Sequence, residues 1–115
     1  MARNRNLSPE FWDDPILGTL DSDSRLLFLA LMSHADDEGR GEVDARMRKI
    51  CFGFRASPSV EEVQGLLEEL SQRVDGILFY DVDGRRYYDL VGYWDKWQTV
   101  QRPRPSTIPT LPLDE

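Results

Sequence analysis

The sequence predicts a small α+β domain, mainly α, in which three to four helices precede a two-stranded β-hairpin. Three stretches carry that prediction. Residues 22–35, SDSRLLFLALMSHA, are apolar nearly all the way round a helix, so this helix is buried on most sides and sits at the centre of the domain. Residues 59–74, SVEEVQGLLEELSQRV, open on a capping box, Ser59 with Glu62 three residues on. Val60, Val63, Leu67, Leu70 and Val74 then recur at helical steps as a buried stripe. In YDVDGRRYYDL at 80–90, Asp83-Gly84 separates two strand-forming runs, the signal of a type I′ or bulged hairpin turn.

The remaining elements follow from punctuation. Ser8-Pro9-Glu10 starts a short first helix, which Pro15 limits to a turn or two. Asp21 or Ser22 caps the central helix, Gly39 and Gly41 end it, and a loop follows. Residues 43–50 form a short basic helix, and Gly53 with Ser57-Pro58 breaks it from the long one. The hairpin strands are expected at 77–82 and 86–91. Trp94 and Trp97, three residues apart, are expected to close the core as a clasp, with base stacking by Tyr93, Trp94, Lys96 and Trp97 as the alternative. The chain thus divides into an N-terminal arm and short helix at 1–20, the domain proper at 21–97, and a proline-rich flexible tail at 98–115.

Composition narrows the function. At 115 residues there is room for one core, and a lone cysteine, Cys51, supports neither a disulfide framework nor a zinc set. No apolar h-region follows the basic N-terminus, and the longest apolar run, LLFLALM, is too short for a bilayer, so an intracellular, soluble protein is expected. The net charge of −7 disfavours nucleic acid on average, but the charges are segregated. Residues 45–60 hold Arg46, Arg48, Lys49 and Arg55 with no acid, and residues 96–105 hold Lys96, Arg102 and Arg104 with none.

Helices followed by a hairpin in this order make a winged helix-turn-helix, the short basic helix and the long helix forming the helix-turn-helix pair. The stretches MARNRNLSPEFW, LDSDSRLLFLALMSHADDEGRGE and VEEVQGLLEELSQRVDGILFYDVDGRRYYDLVGYWDKWQ resemble the N-terminal winged-helix domain of phage and prophage replication-initiation, or replisome-organiser, proteins. The resemblance covers about residues 1–107, including QRPRPS at 101–106, where such domains hand over to a linker. It implies binding of DNA and of partner replication proteins, without catalysis, in the cytoplasm of a bacterial host. Longer members continue into a second domain, and the long helix here carries little positive charge.

Two surfaces are therefore candidates. In the first, Arg46, Arg48, Lys49 and Arg55 contact the phosphates of duplex DNA, because the first helix of such a pair crosses the backbone. Arg85 or Arg86 supports them from the hairpin; the two point to opposite faces of their strand, and an ordinary surface hairpin remains the alternative. Arg3, Arg5, Arg102 and Arg104 serve as flexible arms. In the second, Glu61, Glu62, Glu68 and Glu69 on the long helix face a protein partner or a second copy, and the chain is a dimerising adaptor or an inhibitor. Asp36, Asp37 and Glu38 read as a helix end and loop, not a cation site. No nucleophile motif, phosphate cradle or metal set is present, so no cofactor, membrane role or catalysis is expected.

Overall fold

The computed structural model describes residues 4–44, 46–52 and 58–112, apart from the side chains at 47, 48 and 50. It is an α+β fold whose helices pack on one small antiparallel sheet. Helix α1 (Glu10–Asp13) opens where the Ser8 hydroxyl accepts the Glu10 N–H at 3.1 Å. After Pro15 the chain makes a single 3-10 turn, Leu17–Thr19, whose first N–H groups are received by Asp14. Helix α2 (Ser22–His34) is capped by Asp21, which accepts from Ser24 N–H at 2.9 Å. Leu27, Phe28 and Leu31 are fully enclosed, as its apolar girth predicts.

Strand β1 (Arg40–Val43) stands where a loop was expected. It is four residues long, too short to show alternation, and its partner is far along the chain: Arg40 pairs with Asp89 and Val43 with Arg86. Helix α3 (Met47–Phe52) consequently starts later than predicted, because Val43 belongs to the strand. Helix α4 (Val60–Arg73) makes both halves of its capping box, Ser59 Oγ accepting from Glu62 N–H and Glu62 Oε1 from Ser59 N–H. Val63, Leu67, Leu70 and Val74 are buried, but Val60, in the first turn, is 56% exposed and leaves the expected stripe.

Strands β2 (Leu78–Val82) and β3 (Arg85–Asp89) meet at Asp83 (φ 52°) and Gly84 (φ 78°), the two left-handed residues of a type I′ turn. The sheet is therefore three-stranded, in the order β1-β3-β2, and not a lone hairpin. Helix α5 (Trp94–Trp97) closes the domain. Trp94 and Trp97 are both buried, and Phe11, Phe28, Tyr93 and Trp97 make edge-on and tilted ring contacts with centroids 4.9 to 6.4 Å apart. The clasp thus ties α5 to α1 and α2, and Trp97 Nε1 donates to Glu10 at 3.0 Å. Among the described residues no helix is long and apolar enough to cross a membrane.

Gly41 is where sheet and central helix touch. Tyr88 crosses it to donate to the Leu31 carbonyl at 2.7 Å, and a Cβ on Gly41 would lie 2.4 Å from the phenolic oxygen. Burial pushes that phenol's pKa well above its ordinary value, so it stays a donor. Gly41→Ala should cost about 3 kcal/mol by overpacking. Gly65, exposed within α4 with nothing near its missing Cβ, should gain about 0.7 kcal/mol as alanine. Urea unfolding of the two variants checks both signs.

Candidate nucleic-acid interface

The hairpin sends its two arginines to opposite faces, as strand alternation requires. Arg86 shares a face with Tyr88 and lies between Val43 and Asp81 in the register; its guanidinium stands 3.7 Å from Asp81 and 5.6 Å from the Phe79 ring centroid. Arg85 points to the outer face, 69% exposed, with Glu42 at 3.9 Å. Both ion pairs are long and wet, so they hold the arginines only weakly.

Arg46 precedes α3. Its side chain is 78% exposed, and its Nε and Nη2 donate to Asp44 Oδ2 at 3.2 and 3.0 Å. Asp44 Oδ1 accepts the Arg46 N–H at 2.9 Å, so the same carboxylate steadies the backbone ahead of the helix. Partial burial by itself would raise the Asp44 pKa, but the bonds from Arg46 outweigh it and hold the carboxyl below its ordinary value. Lys49 is exposed on α3. The Arg48 side chain, Arg55 and Arg3 lie outside the described residues. The structure thus places Arg46 just before α3 and Lys49 in its last turn, and Arg85 and Arg86 on the strand that pairs with β1 just before that helix.

Arg5 is not a flexible arm. Its guanidinium and the Asp37 carboxylate form a 3.0 Å ion pair with both side chains only 6% exposed. Nη2 also donates to the Ala35 carbonyl at 3.0 Å, and Cζ lies 4.9 Å from the Trp94 ring centroid. A buried cation with this many partners is structural. The segment around it is equally fixed, since the Asn6 backbone exchanges hydrogen bonds with the buried Gln98 side chain at 2.9 and 2.7 Å.

The proline-rich tail is extended, as predicted, and lies hydrogen-bonded along the domain. Arg104 N–H donates to Asp37 Oδ2 at 3.0 Å, Ser106 N–H to Glu38, and Ser106 Oγ to Asp36. Tyr80 Oη then donates to the Pro109 carbonyl at 2.6 Å on the outer face of the sheet. The side chains of Arg102 and Arg104 remain exposed. The acidic run DDE is thus a receptor for the tail as well as a turn. Little in the sequence signals this, because the tail is held through its backbone N–H groups and the Ser106 hydroxyl and not through its arginine side chains.

On α4, Glu61, Glu62 and Glu68 are exposed, although Glu62 is used in the cap. Glu69 is half-buried, accepts from Ser24 Oγ at 3.2 Å and pairs with Arg73 at 3.0 Å, so it belongs to the fold and not to a free acidic face. Burial pushes the Cys51 thiol up to about 12, which removes it as a nucleophile at neutral pH. Among the described residues no group of three or more His, Cys, Asp or Glu side chains is placed to hold a metal ion. Neither a family model nor a curated protein nor a solved structure matches this chain.

Arg5→Ala should destabilise the protein by about 3 kcal/mol, because it removes the buried guanidinium that lies 3.0 Å from the Asp37 carboxylate. Arg104→Ala removes only an exposed side chain and should stay within about 0.5 kcal/mol. Thermal unfolding monitored by tryptophan fluorescence separates the two.

Proposed function

We propose that this chain is a winged-helix DNA-binding protein of the phage type, acting in replication initiation or in the regulation of phage genes, without catalysis. The observation that carries this reading is the order of elements. α3 and α4 follow one another and pack together as a helix-turn-helix pair would, and the β2–β3 hairpin comes next as a wing, backed by β1. The exposed Arg46 and Lys49 on one side, and Arg85 and Arg86 on the other, supply cations near that pair. Such a surface binds duplex phosphate by releasing counterions, and the resemblance to replisome-organiser domains points to the same ligand and to replication partners.

A second reading rests on a different observation. The solvent face of α4, where a reading helix would meet bases, presents Glu61 and Glu68, and these repel a duplex. A protein-interaction module would use that face on a basic partner or in a homodimer.

The test is fluorescence anisotropy of labelled duplex and single-stranded DNA at about 50 and 200 mM salt. Replacing Arg46, Arg48 and Lys49 together by alanine should weaken binding across all sequences and lower the log–log salt slope by about three. Unchanged affinity would move the DNA off this surface. Absence of binding by the parent protein at the lower salt would favour the α4 face, and Glu61→Lys with Glu68→Lys should then abolish capture of the protein partner.

A further inference from the structure

The bound tail is held by a strained hinge. Gln98 is fixed by Asn6 and is buried, and Arg104 is fixed by Asp37; between them the chain must turn back on the domain. It does so at Arg102, whose φ is 53°. Left-handed backbone is unfavourable for a long side chain, and glycine is the residue that adopts it freely. Arg102 also precedes Pro103, and a following proline steers a residue toward extended backbone. Sequence and conformation therefore oppose each other at this one position.

The tail's own contacts do not require that turn. Among the described residues they include hydrogen bonds to the Asp36–Glu38 carboxylates, the Tyr80 hydroxyl bond, and the half-burial of Ile108 and Pro109. Any copy of the segment RPRPSTIP arriving from outside makes the same contacts. With Arg102 extended, the chain leaves the domain and carries its tail to a neighbour. Short hinges under strain favour this kind of exchange.

We propose that the outer face of the sheet and the acidic turn form a docking groove for the tail of a second copy of this chain, and that two copies exchange residues 103–110 about Arg102. The monomer is the form in which each chain occupies its own groove. Against it stands the closeness of a tethered tail, which an effective concentration of about millimolar describes. In favour of exchange stands the relief of two hinges per dimer, each worth roughly tenfold, so about a hundredfold in the dissociation constant.

The experiment is sedimentation velocity on the full chain over a range of concentrations, with hydrogen exchange read at the Arg104 and Ser106 amides. Arg102→Pro cannot adopt positive φ and should move the equilibrium to dimer, with those amides still protected. Arg102→Gly relaxes the monomer's hinge and should weaken dimerisation roughly a hundredfold relative to the parent. Adding Ser106→Asp to Arg102→Pro sets a carboxylate against Asp36 and Glu38, and should return the protein to monomer with exposed amides. A monomeric Arg102→Pro variant overturns the proposal, whether its tail amides are protected in place or released. A dimer that survives Ser106→Asp also overturns it, by locating the interface elsewhere, the α4 face included.

Discussion

A carboxylate buried to the extent of Asp37 is tolerable only if its surroundings are built to receive it, and most of this fold converges there. Arg5 brings the opposite charge from the N-terminal segment, and Arg104 brings a backbone N–H from the tail. The Asp37 carbonyl accepts Trp94 Nε1 at 3.1 Å, which orients the indole that Arg5 lies against. Two residues on, Gly39 has φ 87°, and a Cβ there would lie 2.7 Å from the Trp94 ring. Its carbonyl accepts Leu90 N–H at 2.9 Å, so the turn from α2 into β1 also fixes the exit from β3. Removing the charge pair therefore loosens both chain ends, the sheet edge and α5 together.

Local signals were legible in the sequence because their causes are local. The Ser59–Glu62 capping box and the Asp83-Gly84 turn involve residues within three positions of one another, and both form as read. α2 was legible because a helix whose centre is apolar nearly all round has one place to go. What escaped was pairing at a distance. β1 has no pattern of its own in four residues and exists because β3 offers it an edge. Arg5 looked like part of a solvated basic arm because its partner lies 32 residues away. The tail looked free because proline spacing shows extension but not what the extended chain lies on.

The candidate DNA surface was legible in composition and less so in geometry. The acid-free run at 45–60 located the basic region, and the alternation of Arg85 and Arg86 told which faces they would take. Nothing in the run indicated that Asp44, at its border, would hold Arg46 twice over. Net charge is a similarly blunt guide. At −7 it averages over carboxylates that are committed inside the fold, such as Asp37 and Glu69, and carboxylates that face water, such as Glu61 and Glu68.

That distinction decides how a polyanion would meet this protein. Arg46, Arg85 and Arg86 each already have a carboxylate, so for them phosphate binding is an exchange of one anion for another. The exchange is easiest where the existing pair is long and hydrated, as for Arg85 with Glu42 at 3.9 Å and Arg86 with Asp81 at 3.7 Å. It is hardest for Arg40, bound to Asp89 at 3.0 Å in a half-buried setting on the outer face of the sheet. Burial raises the Asp89 pKa against the opposing pull of Arg40. Arg46 lies between these cases: its bonds to Asp44 are short, but its guanidinium is in water, where the competition between carboxylate and phosphate is cheap. The ordering places the hairpin and the segment leading into α3 ahead of the Arg40–Asp89 pair as the places that can release cations, although all of them carry the same formal charge.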